Sequence, residues 1–177
     1  KDIPLDKLAE TWECSVHPDG LSVIGSGEFA GQTLADVLKQ QPEFLGQRWQ
    51  AVGELPVLVK FIDAKQNLSI QVHPDDDWAV KLEGKGNCGK TECWYVLDAA
   101  PDAKLVYGIK EGFSNEVLAK AINENNLEQY LEFVNVKKGD FVFIPAGTVH
   151  AIGEGCLICE IQQSSNSTYR LYDYDRK

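Results

Sequence analysis

Gly139-Asp-Phe-Val-Phe-Ile144-Pro145-Ala-Gly147-Thr-Val-His150 reads as a turn, a short strand, a stop and a tight bend that ends on a histidine. Gly139-Asp140 turns the chain into the apolar run Phe141-Val142-Phe143-Ile144, Pro145 cannot donate to a sheet ladder, and Gly147 permits the bend that aims His150 inward. Upstream, Leu68-Ser69-Ile70-Gln71-Val72-His73 is a second apolar run. Residues i and i+2 of a strand share a face, so Gln71 and His73 can reach one ion while Ile70 and Val72 pack on the other side. With Glu92 further on, Gln71, His73, Glu92 and His150 form a candidate metal-ligand set that uses two of the chain's three histidines.

The segments around these two runs predict further β structure. Leu55 to Asp63 is apolar and β-branched, and the polar turn Ala64-Lys65-Gln66-Asn67 predicts that it neighbours the strand from Leu68. Cys93 to Asp98, Lys104 to Gly108, Val134 to Val136 and Cys156 to Ile161 are further strand candidates, and the first third reads as irregular β structure. Two short helices fit between 33 and 46, with Thr33 as cap and Gly46 as their end. Asp75-Asp76-Asp77 suits the solvated start of a short helix rather than a calcium site. One helical insertion is expected at about 114–133, with Val117, Leu118, Ala121 and Ile122 on one stripe and a break at Asn125-Asn126. Many short strands with Gly and Pro turns give an all-β class, a sandwich or barrel.

At 177 residues, 44% of them hydrophobic and 10% aromatic, the chain can build one domain with a packed core. A formal charge of −10 excludes a basic footprint for nucleic acid or anionic membrane. No apolar stretch nears the ~20 residues of a membrane helix, and Lys1 to Asp6 lack an apolar signal core. Five cysteines without framework spacing fit reduced thiols and a cytoplasmic address. The chain has no methionine and begins with Lys1, which predicts a piece of a longer product. Its oligomeric state is left open.

Three signals are set aside. Gly84 to Thr91 spells the P-loop pattern, but a helix precedes it and strand formers follow, the reverse of what a phosphate loop needs. Cys156-x2-Cys159 lies in a strand, where i and i+3 point to opposite faces. His17 in His17-Pro-Asp-Gly20 reads as a turn residue.

The Gly139–His150 segment resembles the second signature of the cupin jelly roll, with Glu154 where an asparagine is usual. Gln71-x-His73 replaces that fold's His-x-His pair, and Glu92 comes later than usual. Gln71-Val-His73-Pro-Asp75, Gly89-Lys-Thr-Glu-Cys-Trp-Tyr95 and Pro145-Ala-Gly-Thr-Val-His150 resemble the type I mannose-6-phosphate isomerases in their short bacterial form. So do Trp12 to Gly20 and the run Thr168-Tyr-Arg170-Leu-Tyr-Asp-Tyr174. The resemblance implies a single cupin-type catalytic domain over residues 1–177, lacking the extra start and the second β domain that such proteins usually carry. It implies one zinc per chain on Gln71, His73, Glu92 and His150, and interconversion of mannose 6-phosphate and fructose 6-phosphate. It carries Arg170 over as a catalytic arginine, with Lys90 and Glu160 as further polar site groups. Aldose–ketose interconversion moves a proton between C1 and C2, which makes Glu160 the candidate base. Lys60, unusual inside an apolar strand, and Ser69, on the face of Gln71, are candidates to touch the sugar phosphate. A noncatalytic sugar-phosphate-binding cupin and a metal-dependent cupin oxygenase are the competing classes; Gln71 and the nearby cations lean away from the second.

Overall fold

A computed structural model describes residues 8–174 and Arg176; the reading of Lys1 to Asp6 falls outside them. The described residues form two five-stranded sheets, and every strand pair among them is antiparallel. The first sheet runs β1 (Glu10–Cys14), β2 (Val57–Ala64), β9 (Cys156–Gln163), β4 (Glu92–Ala99), β7 (Phe141–Ile144). The second runs β10 (Tyr169–Tyr172), β3 (Ile70–Val72), β8 (His150–Ile152), β5 (Lys104–Ile109), β6 (Leu131–Asn135). Consecutive strands alternate between the sheets for much of the chain, as the expected jelly-roll sandwich requires.

Alternation writes the core. In β2 and β9, and in β4 as far as Val96, every second residue is buried, and Ile62, Trp94, Val96 and Ile158 meet Leu105 and Ile152 of the opposite sheet. A second cluster lies on the outer face of the second sheet, where Ile70, Val106 and Ala151 pack beneath α4 (Asn115–Asn123) through Ala121. Ser114 caps α4 by accepting a hydrogen bond from the Val117 amide. Asn125, at φ 53°, then turns the chain out of the helix, at the expected break.

Three expectations need correction. The strand run at 55–63 and the one after Leu68 are not neighbours: β2 finds β1 and β9 on its two sides, while β3 pairs with β10 and β8 in the other sheet. The turn after Ala64 carries the chain across the sandwich instead of folding it back in a hairpin. The helical insertion is shorter than 114–133, because Leu131-Glu-Phe-Val-Asn135 alternates and pairs with β5 as strand β6. Gly46, expected to end the helical region after α1 (Leu34–Gln40), opens α2 (Gly46–Gln50) at a left-handed φ of 72°. As predicted, α3 (Asp76–Glu83) starts on an Asp75 cap.

Candidate metal centre

Strand register delivers the site. Ile70 and Val72 belong to the outer cluster, so Gln71 between them faces the cup. Gln71 lies directly opposite His150 on one side and Arg170 on the other, and directly opposed residues share a face. His73 follows β3, and its carbonyl accepts a hydrogen bond from the Gly147 amide at 2.8 Å. Gly147, at φ 84°, thereby ties the two histidine motifs together. On the other wall, Gly89 presses against the start of α3 so closely that a Cβ there would sit 2.7 Å from the Asp75 carbonyl carbon. The Lys90 amide then bonds Pro74 O at 3.0 Å, which sets Lys90 and Glu92 beside His73. This close approach is what the glycine-rich stretch does here; it follows α3 and precedes β4, the reverse of a phosphate loop.

His73, Glu92 and His150 are buried, with ligand atoms all within 4.8 Å of one another. His73 Nδ1 lies 2.9 Å from Ser167 O, and His150 Nδ1 lies 2.8 Å from Thr148 O. A carbonyl only accepts, so both rings carry their proton on Nδ1 and present an Nε2 lone pair. Those two Nε2 atoms face each other at 3.1 Å. Two lone pairs at that distance repel unless a cation lies between or beside them. Glu92 Oε1 is 2.9 Å from Lys90 Nζ and 3.2 Å from His73 Nε2, yet neither contact has hydrogen-bond geometry, so this buried oxygen accepts none. Two convergent imidazole nitrogens, a carboxylate oxygen without a hydrogen bond and backbone-fixed tautomers suit a divalent ion such as zinc. Burial pushes the Glu92 carboxyl up, but the adjoining His73 ring and the charge of Lys90 outweigh it and hold the group ionised. Burial lowers the His150 pKa to about 4 and lowers that of His73, keeping both rings neutral and ready to ligate.

A second row lies beside the first on the same sheet. Lys60, Glu160 and Trp94 are direct cross-strand partners. Glu160 is 3.5 Å from Lys60 Nζ, and Lys60 in turn stacks 4.9 Å over the Trp12 ring. Burial, then the charge of Glu92, raises the Glu160 pKa to about 7. Trp94 Nε1 donates to both carboxylates, 3.1 Å to Glu92 Oε2 and 2.9 Å to Glu160 Oε2. Replacing Trp94 by Phe keeps the ring in the core and deletes this bridge. Zinc affinity is expected to fall roughly 10- to 100-fold, the usual cost of losing an outer hydrogen bond to a ligand; an unchanged affinity in a competitive zinc titration would assign the indole to packing alone.

Arg170 is exposed on β10 at the rim, on the face of Gln71. Ser69, half-buried, immediately precedes β3. Buried Lys60 meets Glu160 and Glu10, so its charge is held inside the cup wall. Sequence reading missed Trp94, although its place two residues after Glu92 puts it on the same strand face. It also missed Gln162, buried directly opposite Glu92, whose Nε2 donates to Gln163 O and Ser165 O while its Oε1 finds no partner among the described residues. His17 accepts from the Asp19 amide at 3.2 Å, as a turn residue should, and packs edge-on against Trp12.

A recess of about 330 Å³, lined by His73, Gly147 and Tyr169, opens beside the cluster. A larger one of about 980 Å³ contains none of the candidate ligands in its lining. It borders the site through Ser167, whose carbonyl holds His73, so the smaller recess is the one next to the chemistry.

The fold and the cluster define an antiparallel β-sandwich with a two-histidine, one-glutamate centre inside. A family model described as phosphomannose isomerase type I, catalytic domain, matches residues 1–105. The chain belongs to that family. It is 44% identical over 176 residues to a mannose-6-phosphate isomerase of Streptococcus mutans, covering 99% of this chain and 54% of the relative. The crystal structure of the mannose 6-phosphate isomerase from Bacillus subtilis superposes with a TM-score of 0.90 at 40% identity, over 99% of this chain and 55% of that one. A zinc-bound mannose 6-phosphate isomerase shares the fold, with a TM-score of 0.67 at 19% identity over 93% of this chain and 62% of that one. The chain thus spans about half the length of the curated relatives it matches. Among the described residues no helix is long and apolar enough to cross a membrane.

Proposed function

We propose that this chain is the catalytic cupin unit of a zinc-dependent aldose–ketose isomerase that interconverts mannose 6-phosphate and fructose 6-phosphate. The observation that carries the reading is the pair of facing Nε2 atoms beside the Glu92 carboxylate, at 3.1 Å from each other, inside the sandwich. The relatives' names support the substrate, and the zinc-bound relative supports the metal. One ion per chain is held by Gln71, His73, Glu92 and His150. Zinc, when bound, supplies a Lewis acid for the negative charge that develops on the sugar oxygens.

This chain's own groups do the rest. Glu160, with its pKa near 7, can both release and hold a proton at neutral pH, as a group that takes a proton from one carbon and returns it to the next must. Lys60 keeps that carboxyl oriented, 3.5 Å away, and Trp94 fixes it relative to Glu92. Lys90 balances the Glu92 charge from 2.9 Å. Arg170, at the rim, meets the anionic substrate and the charge that grows along the reaction, with Ser69 beside the same face. The role of Lys60 is thus to hold the base rather than to receive the phosphate directly.

Metal analysis followed by a coupled assay on mannose 6-phosphate tests the reading. Zinc at one equivalent with turnover is expected, in this chain or in a longer form that contains it. Sugar-phosphate binding without exchange of the C2 proton would favour the noncatalytic cupin, and bound iron with oxygen uptake the oxygenase. Arg170→Ala is expected to lower kcat by about 100-fold or more while zinc content stays at one equivalent. Loss of metal in that variant would make Arg170 a structural residue.

A further inference from the structure

Residues Ser164 to Thr168 carry the chain from β9 in the first sheet to β10 in the second, and Ser167 among them supplies the carbonyl that takes the His73 Nδ1–H. A candidate metal ligand thus leans on a stretch with no regular structure of its own. Exposed contacts hold that stretch from outside: Asn166 Nδ2 donates to Asp19 Oδ2 at 3.0 Å, and Ser167 Oγ and Tyr169 Oη donate to the Glu83 carboxylate. Water competes for each of these.

Another tie is buried at both of its ends, Gln162 being 2% and Ser165 5% exposed. Gln162 Nε2 donates to Ser165 O at 2.6 Å and to Gln163 O at 2.9 Å. A carbonyl only accepts, so the amide must turn its nitrogen to these two oxygens, and its own Oε1 is left without a hydrogen-bond partner among the described residues. A buried oxygen without a donor is unfavourable. A methionine of similar length would avoid that cost, but it cannot donate to two carbonyls. Gln163 O also accepts from the Ser165 amide at 2.7 Å, so the Gln162 side chain closes the bend at 163–165 from inside. Ser165 passes the constraint on: its Oγ accepts from the Ser167 amide at 3.3 Å, and Ser167 O lies 2.9 Å from His73 Nδ1.

We infer that Gln162 is a positioning residue for His73. By closing this bend it holds the Ser167 carbonyl on the imidazole Nδ1–H, and so aims Nε2 at Glu92 and His150. The consequence for zinc rests on the function proposed above; the placement of the ring does not. His150 supplies the contrast, because its Nδ1 is held by Thr148 O, two residues before it, and no link in that contact passes through Gln162.

Solvent exchange of the ring N–H protons, followed by NMR on the chain as purified, tests this. Both rings are buried and both Nδ1 atoms face a carbonyl, and the chain has three histidines to assign. In Gln162→Met the His73 Nδ1–H is expected to exchange at least about 10-fold faster, while that of His150 keeps its wild-type rate. The zinc dissociation constant of the same variant should rise roughly 10-fold in a competition titration. Should Gln162→Met fail to fold, Ser165→Ala carries the same test, since it removes the hydroxyl that takes the Ser167 amide. A merely structural role would loosen both rings together, so equal acceleration of the two in folded protein overturns the inference. An unchanged His73 rate overturns it, and so does a zinc affinity equal to that of wild type. If the wild type takes up no zinc, the proposed function falls instead, and the exchange rates still decide the role of Gln162.

Discussion

Glu92→Gln is expected to strip the centre of its metal. The substitution keeps the shape of the side chain and one oxygen but removes the negative charge that faces Lys90 at 2.9 Å and His73 at 3.2 Å. Losing even an outer hydrogen bond to a ligand costs roughly 10- to 100-fold in metal affinity, so loss of an inner carboxylate should exceed about 100-fold. Removal also leaves the Lys90 ammonium buried without its counter-charge, next to His73 Nε2 at 3.3 Å. The variant should therefore bind zinc substoichiometrically after dialysis and lose turnover with it. Full zinc occupancy by elemental analysis would show that the Glu92 carboxylate is not what holds the metal.

Glu160→Gln separates chemistry from metal binding. Zinc should be retained, because the carboxyl touches Trp94 and Lys60 rather than the cluster itself. kcat should fall by about 100- to 10,000-fold, the usual worth of a general base. The pH dependence has a defined sign. A base works deprotonated, so wild-type kcat should rise as pH climbs through the Glu160 pKa. A bound cation offsets the Glu92 charge that helps raise that pKa to about 7, so the limb should lie below 7 in the zinc form. The variant should lack it.

Stability of the metal-free protein moves the other way. Glu160 titrates at about 7 when folded against the usual 4.5, so its contribution is present at low pH and is lost as pH rises through 7. His150, lowered from 6.5 to about 4, contributes stability above that window and loses it as pH falls. Metal-free Glu160→Gln should consequently exceed metal-free wild type above pH 7, by on the order of 2 kcal/mol. Near-normal turnover in an active protein would eliminate Glu160 as the base whatever the stability shows.

The candidate ligands were readable from local pattern. His73 and Gln71 announce themselves by i, i+2 spacing inside an apolar run, and His150 by the Gly and Pro that bend the chain before it. Trp94 was equally accessible to the i, i+2 rule but carries no ligand atom, so nothing chemical marked it. Glu160 was proposed, yet its raised pKa depends on Glu92, 68 positions away in the chain and two residues off in the register of the sheet.

Composition and alternation therefore settled that this is an acidic β protein, which faces its strands bury, and which side chains are candidate ligands, because period, turn chemistry and charge are properties of neighbours along the chain. Which strands share a sheet was decided by tertiary contacts: Ala64 sends the chain across the sandwich, and only then does β3 find β8 and set Gln71 opposite His150. The same folding brings Glu160, Trp94 and Glu92 into adjacent rows. Those outcomes rest on pairings over long sequence separations, whose free energy comes from burying both faces at once, and no local window contains that information.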